Sequence, residues 1–400
     1  MSDEPGLKIL ASRQQLPHIT RRAFVAGFTV TAAAGGTVIL SACGNSGSEG
    51  ASSGSPSPSA ASSGPIEGQL NMYNWADYDA PSLYKKFEQE VGPTIKVSVF
   101  DSNEQAIAKL NAAEGTSGYD VMCPTGVFIP LMVQQELLEP LDHSRIPNFD
   151  NMLPEVLDQS WDPGNKYSVP KDWGTSGYMY DKRVVTREMK TWADFVTAMQ
   201  NEAKNNTAVA ATPMNLCSLY FWSQDPPLDW TTTDKSVWDN GAKPYILQEV
   251  APYVKNYDPY PAITMTQGKY ALAMMANGDA RAALTRGTNA ENYEWVFPGP
   301  TSEIWTDTWT IIANAPNPNA AYAWINFILD PVNSYTDLQY HGYNTGVKGM
   351  EEKAKADNIP YPEIVFYTPE QVATMVPGAV NEATEWATEI AQEAKVVSAS

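Results

Sequence analysis

The sequence predicts an α/β fold built as two lobes, and three observations support this prediction. From residue 68 onward, stretches of strand length alternate with segments whose apolar residues recur at helical spacing, and such alternation favours parallel strands covered by helices. The composition, 43% hydrophobic and 11% aromatic, supplies enough apolar side chains for sizeable cores. Without its N-terminal segment the chain of 400 residues retains about 330, which suits two lobes better than three domains.

Three strand and helix pairs are predicted in the first lobe. Asp79 is expected to cap the first helix, with Pro81 in its first turn and Gly92 at its end. Ser102 and the Asn-Glu-Gln that follows it form a capping box that opens the second helix. The predicted strands cover 70–75, 95–100 and 119–122, and the predicted third helix covers 127–138.

The same alternation recurs later in the chain. Strands are predicted at 167–170 and 270–275 and a helix at 320–329, which indicates a second sheet and a return to the first. Segments 75–78, 277–279 and 305–309 are expected to be loops that follow strands. The last segment, 369–395, is predicted to be helical with a polar outer face.

Residues 1–42 have the layout of an export signal. Arg21 and Arg22 precede an uncharged stretch, 23–42, as in the twin-arginine signals that direct folded proteins out of the cytoplasm. Cys43 follows Leu-Ser-Ala, the arrangement of a bacterial lipobox, and is predicted to carry the lipid that holds the protein on the extracytoplasmic face of the cell membrane. Segment 43–67 is predicted to be a flexible linker. A retained transmembrane helix is the alternative.

The charge balance limits the kinds of partner. Forty-six acidic and 26 basic residues give a net charge of -20, which argues against nucleic acid or an anionic membrane surface as the partner of the folded part and leaves a cationic ligand open. Cys123 and Cys217 either pair or remain buried thiols. No nucleophile elbow, P-loop, metal-binding helix motif or dinucleotide turn is present, so we expect no enzyme activity, no catalytic residues, no cofactor and no metal.

Aromatic residues lie next to single carboxylates at three places. Trp75, Asp77 and Tyr78 follow the first strand, Asp279 follows the strand at 270–275, and Trp305 and Asp307 follow a Gly-Pro turn. Ligands of open parallel sheets bind just beyond the carboxyl ends of strands. Aromatic faces attract ammonium groups, and carboxylates accept charge-assisted hydrogen bonds from them. These three places therefore predict a site for a small cation.

At these residues the chain resembles the spermidine/putrescine-binding lipoproteins and periplasmic proteins of bacterial ABC importers. The resemblance covers most of 68–350 and rests on the order and spacing of several blocks. They are Tyr73-Asn74-Trp75-Ala76-Asp77-Tyr78, Phe100-Asp101-Ser102-Asn103-Glu104 followed by Ala108-Lys109-Leu110, Gly118-Tyr119-Asp120-Val121-Met122-Cys123-Pro124, Asn165-Lys166-Tyr167-Ser168-Val169-Pro170 before Trp173-Gly174, and Trp305-Thr306-Asp307.

The resemblance implies a two-lobe periplasmic-binding-protein fold of type II, with the ligand enclosed in the cleft as the lobes close. By this likeness the first lobe begins with 68–172, the second lobe is 173–304, and 305–400 returns to the first lobe and adds C-terminal helices. It further implies capture of a polyamine, putrescine or spermidine, and its delivery to an ABC permease by a monomeric, lipid-anchored protein.

The resemblance also assigns the cleft residues. Asp77, Asp279 and Asp307 are the carboxylates it implies for the ammonium groups, and the aromatic wall and remaining lining are Trp75, Tyr78, Trp305 and Tyr343. Thr125 stands where the family has the serine of a Ser-x-Tyr pair, so it is included in the site.

The chain departs from the family pattern in the second lobe. Ala276 replaces the tryptophan expected before Asp279, and 212–217 lacks the acids expected there, which weakens the case for a long triamine. A sugar or another amine on the same fold stays open. So do two other classes: an exported hydrolase or transferase, and a scaffold lipoprotein without a ligand.

Overall fold

The computed structural model describes residues 64–113, 117–210 and 212–399. Arg21, Arg22, Cys43 and most of the predicted linker lie outside the described residues. The strands are β1 Gln69–Asn74, β2 Thr94–Val99, β3 Val121–Met122, β4 Ser168–Asp181, β5 Thr207–Val209, β6 Val254–Tyr257, β7 Leu272–Ala276, β8 Tyr293–Val296, β9 Ser302–Ile311 and β10 Met375–Pro377. The helices are α1 Pro81–Glu90, α2 Asn103–Asn111, α3 Ile129–Gln134, α4 Trp192–Gln200, α5 Pro213–Trp222, α6 Ala262–Thr266, α7 Asn277–Arg286, α8 Pro318–Ile328, α9 Pro331–His341, α10 Met350–Ala356, α11 Pro369–Val372 and α12 Glu382–Ser398, together with a helical segment over 235–253.

The described strands form one mixed sheet in the order β2-β1-β3-β9-β4-β7-β5-β6, with β10 beside β9 and β8 beside β4. In the first half, β1 pairs in parallel with β2 and β3, whereas β9 is antiparallel to both β3 and β4. In the second half, β5 is parallel to β6 and β7, and β4 is antiparallel to β7 and β8. The expected parallel pairing therefore holds within each half, and the antiparallel strands join the halves.

Each half has its own apolar core. In the first, Leu83 and Phe87 of α1 and Trp324 of α8 are buried with Trp309 of β9. The second is built from α4, α5, segment 235–253 and α12. Burial of large aromatic side chains contributes most of the stability that such cores provide.

β4 and β9 are the segments where the sequence prediction was most incomplete. A strand was predicted at 167–170 and a loop at 305–309, but β4 continues to Asp181 and 305–309 lies inside β9. The two strands pair from Ser168 to Thr175, with one register shift between Pro170 and Asp172. The two strands satisfy each other's backbone hydrogen bonds. Their pairing therefore does not require apolar and polar side chains to alternate along the strand.

Three smaller predictions were wrong. Segment 277–279, predicted to be a loop, forms the first turn of α7. The first helix is not capped by Asp79: its N-cap position is Ala80, without a side-chain hydrogen bond, because the buried carboxylate of Asp79 accepts from Asn74 and Tyr84 instead. The helix predicted over 127–138 is shorter, since only a 3-10 turn and α3 form there. By contrast, the Ser102 side chain does accept a hydrogen bond from the Gln105 N–H at the start of α2.

The C-terminal segment is also interrupted. The continuous helix predicted over 369–395 is divided into α11, β10 and α12, and α12 packs Ala387 and Ile390 into the core of the second half. The boundaries predicted at 172 and 304 stay a prediction. Cys123 and Cys217 are buried free thiols. Within the described part of the chain, no helix combines the length and the apolar character needed to cross a membrane.

Candidate functional site

β4 and β9 present a row of polar and aromatic side chains on one face. Because side chains alternate along a strand, Glu303, Trp305 and Asp307 of β9 lie on the same face. On β4, Gly174 is the register partner of Trp305, and Asp172 is that of Asp307. This row lies where the chain passes between the two halves, so it is placed to contact a ligand held between them.

Tyr78 connects this row to the loop after β1. Its hydroxyl oxygen lies 2.6 Å from Oδ1 of Asp172 and 2.8 Å from Oδ2 of Asp307. A phenol has one proton to donate, so both contacts are hydrogen bonds only when one of the two carboxyl groups is protonated. Asp172 forms a salt bridge with Lys171. Asp307 accepts from Tyr78 but has no salt bridge to a described Lys or Arg.

The environment of Asp307 favours the protonated form of its carboxyl group. Burial, and then the negative charge of Asp172, raises the pKa of Asp307 to about 7. The residue is 6% exposed, and its Oδ1 atom has no hydrogen-bond partner among the described residues. A cation that brings N–H donors would satisfy this oxygen and favour the ionised form of the carboxylate.

Trp305 and Tyr343 form the aromatic part of the site. Their rings pack edge to face with centroids 4.9 Å apart, and Tyr78 lies 6.0 Å from Tyr343 in the same kind of arrangement. Two glycines make room for these rings, because a side chain at Gly174 would overlap Trp305 and one at Gly278 would overlap Tyr343. Aromatic faces of this kind attract an ammonium group by about 0.5 to 2 kcal/mol each.

Asp279 and Asp77 supply further negative charge. Asp279 lies in the first turn of α7, and burial raises its pKa to about 6. Asp77 is exposed in the loop after β1, with a φ of 52°. Partial desolvation and the negative charges of Asp101, Asp279 and Asp77 raise the pKa of Tyr260.

Trp75 and Thr125 belong to the first half of the molecule. Trp75 is half-buried, and its ring is tilted against Phe100 with centroids 4.4 Å apart. Thr125 forms a β-bridge with Asp307, and its hydroxyl accepts a hydrogen bond of 3.0 Å from Asn103. Of the eight residues predicted from the sequence, direct contacts join Tyr78, Thr125, Trp305, Asp307 and Tyr343.

The sequence did not predict a buried charge network next to this group. Nζ of Lys171 lies 3.0, 3.1 and 3.3 Å from carboxylate oxygens of Asp172, Asp337 and Asp79. His341 accepts the Tyr343 N–H at Nδ1, and its Nε2 lies 3.4 Å from Asp337. Burial opposes ionisation of Asp337, but Lys171 and His341 lower its pKa overall. Lys171 thus contacts three carboxylates, and burial raises the pKa of Asp79 to about 7 although Lys171 acts to lower it.

Glu303 is a second residue that the sequence interpretation missed. Its Oε2 atom accepts hydrogen bonds from Ser176 Oγ at 2.8 Å and from Asn215 Nδ2 at 2.6 Å. Burial raises the pKa of Glu303, whereas these two hydrogen bonds lower it. The alternation of a strand could have identified it, because Glu303 precedes Trp305 by two residues and Asp307 by four.

Comparison with known proteins agrees with the fold and with the family resemblance. The curated relatives include a putrescine/agmatine-binding protein from Pseudomonas aeruginosa, 28% identical over 333 residues, with 77% of this chain and 86% of the relative covered. They also include a spermidine/putrescine-binding periplasmic protein from Salmonella typhimurium, 29% identical over 278 residues, with 69% and 77% covered. These relatives confirm the resemblance described from the sequence.

The solved structures include a spermidine/putrescine ABC transporter protein from Listeria monocytogenes. It superimposes with a TM-score of 0.74 at 28% identity and covers 82% of this chain and 99% of that one. The predicted two-lobe binding-protein fold is thereby confirmed.

The family model described as bacterial extracellular solute-binding protein matches residues 82–361. Members of this family bind solutes outside the cytoplasm and are not enzymes, as the sequence predicted. By this match, the chain belongs to the bacterial extracellular solute-binding protein family.

Proposed function

We propose that this protein captures a polyamine in the cleft lined by β4 and β9 and delivers it to an ABC permease. The observation that carries the proposal is that Asp279, Glu303 and Asp307 are carboxylates in or beside an aromatic row, with no Lys or Arg in salt-bridge contact among the described residues. Burying such charges is costly unless a cation offsets them. The names of the relatives support a polyamine as that cation.

Binding requires no covalent chemistry. An ammonium group at Asp307 donates to the unpartnered Oδ1 atom and displaces the proton of the carboxyl group, while the alkyl chain packs on Trp305. Closure of the lobes removes water and strengthens both the charge pairs and the cation-π contacts. The ligand thereby favours the closed form, which the permease is expected to recognise.

The location is part of the same proposal. Arg21 and Arg22 direct the folded chain out of the cytoplasm, and Cys43 carries the lipid. The remainder of 43–67 then links the monomeric binding unit to the outer face of the membrane. Such a tether keeps the protein near its permease.

Isothermal titration of the purified protein with putrescine, spermidine and a neutral sugar tests the function. We expect saturable binding of at least one polyamine and none of the sugar. Absence of heat with both polyamines at millimolar concentration would reject the proposal. The variant Asp307→Asn is titrated in parallel, because asparagine keeps the shape of the side chain and removes its charge.

Another small amine is the second candidate. The neutral segment 212–217 favours it, because the acids expected there for a polyamine are absent. A thermal shift screen of amines and amino acids distinguishes the two, because at equal concentration the ligand that binds more tightly raises the unfolding temperature more.

A further inference from the structure

Glu303 is a half-buried carboxylate whose own partners are all neutral. Ser176 and Asn215 both donate to Oε2, and no described residue donates a hydrogen bond to Oε1. Burial raises the pKa of Glu303, and the two side chains that act to lower it, Asn215 and Ser176, are neutral. An ionised carboxylate in this position has one oxygen and its full negative charge left for a ligand.

The neighbours of Glu303 hold it in a fixed position. The hydroxyl of Thr212 donates to Oδ1 of Asn215 at 2.7 Å, so the amide N–H groups of Asn215 are directed to the other side. Asn215 Nδ2 lies 3.1 Å from Ser176 Oγ as well as 2.6 Å from Glu303. A carboxylate held in this way loses little freedom on binding, which favours affinity.

The spacing along β9 defines the length of ligand that fits. At about 3.3 Å per residue, the Cα atoms of Glu303 and Asp307 are about 13 Å apart. Trp305 lies midway between them on the same face. At single-bond lengths of about 1.5 Å, an extended chain of putrescine length spans about 6 Å between its terminal nitrogens, and one of spermidine length about 11 Å.

We propose that Glu303 binds one terminal ammonium of a linear triamine while Asp307 binds the other, so that the site favours a ligand of spermidine length over putrescine. This inference rests on the proposed polyamine function. The unpartnered, buried Oδ1 of Asp307 marks one end of the ligand, and the free Oε1 of Glu303 marks the other. Glu303 thus supplies, through its contact with Asn215, the carboxylate that 212–217 lacks.

The test is a titration of the full chain and of Glu303→Gln with three ligands: spermidine, putrescine and the linear eight-carbon diamine, which has the length of spermidine without its central nitrogen. Glutamine keeps the acceptor for Ser176 and Asn215. We expect Glu303→Gln to bind spermidine and the long diamine at least about 30-fold more weakly, as for loss of one partner of a desolvated charge pair. Putrescine affinity should change by less than about threefold, because a short ligand held at Asp307 does not reach Glu303.

The control is Glu291→Gln, an exposed acid before β8 that undergoes the same change of charge. It should leave all three affinities unchanged, and a thermal melt of each variant verifies folding. Equal losses for putrescine and spermidine, or no loss for either, would overturn the role of Glu303 and leave polyamine binding intact. If the unmodified protein binds none of the three ligands, the proposed function itself fails.

Discussion

Two groups of carboxylates lie side by side in this protein and differ in how their charge is balanced. In the first, Asp79, Asp172 and Asp337 surround Lys171, a cation that belongs to the chain. In the second, Glu303 and Asp307 have hydrogen bonds but no salt bridge among the described residues. Tyr78 contacts both groups through Asp172 and Asp307.

The difference teaches which acids maintain the structure and which are available to a ligand. The Lys171 network connects the loop after β1, β4 and α9, so it fixes the elements that hold Tyr78 and Asp307 in place. The second group leaves buried charge to be balanced from outside. The position of an acid in the sequence does not show which role it has. Asp77 and Asp79 are two residues apart, yet Asp77 is exposed and Asp79 is buried in the Lys171 network.

The largest effect is expected from removal of the internal cation. Lys171→Met leaves three buried carboxylates without their partner and should lower the free energy of unfolding by about 3 to 5 kcal/mol. Chemical denaturation measures this loss. The control is Lys269→Met, whose solvent-exposed ammonium pairs with Asp258 and whose loss should have a much smaller effect. Equal effects of the two variants would contradict a structural role for the network.

Next in size is the effect of Asp307→Asn on binding. The variant should weaken polyamine affinity by about 2 to 4 kcal/mol, since the ammonium group loses its counter-charge in a desolvated site. Its unfolding free energy without ligand should stay equal or rise, because the charge removed has no salt-bridge partner. Titration and denaturation of the same sample test both statements. A variant that loses stability as well as affinity would place Asp307 with the structural group.

The effect of pH on binding should be smaller: polyamine affinity should change by about a factor of ten per pH unit. Asp307, with a pKa of about 7, and Asp279, with a pKa of about 6, must lose their protons to pair with an ammonium group. Affinity should therefore fall as the pH is lowered from 8 through 7 to 6. Titration in buffers of different ionisation enthalpy would detect the released proton, and Asp307→Asn should flatten the profile.

The stability of the ligand-free protein should show the opposite trend. The pKa of Asp307 is higher in the folded state than the usual value of about 4. Its contribution to stability is complete below that unfolded-state value and is lost as the pH rises through about 7. The difference in unfolding free energy between the protein and Asp307→Asn should follow this window. A constant difference from pH 4 to 8 would contradict it.

The smallest effect is expected at the aromatic row. Trp305→Leu keeps an apolar side chain but removes the face that attracts the cation, so affinity should fall by about 0.5 to 2 kcal/mol. Trp386→Leu on α12 is the matched control, because this tryptophan packs on the second core. If both variants bind alike, Trp305 contributes only apolar contact.

Much of the fold and part of the site could be predicted from the sequence. The sequence pattern identified β1, β2, α1 and α2 closely, because apolar and polar residues recur in these segments at strand or helix spacing. Trp305 and Asp307 were identified from the pattern of an aromatic residue beside a carboxylate and from the family resemblance, although they were placed in a loop. β9 and the part of β4 beyond residue 170 were not predicted, because both carry polar residues at consecutive positions where they pair and so do not show the periodicity of a half-buried strand.

The sequence by itself determined the composition of the site: an acidic chain with aromatic residues beside carboxylates and no set of catalytic residues. Only the tertiary structure decided which carboxylates receive a cation from the chain. Lys171 reaches Asp79 and Asp337 across 92 and 166 positions, and Asn215 reaches Glu303 across 88. Charge balance depends on distances of a few ångströms between residues far apart in sequence, and these distances are set by the packing of the two halves.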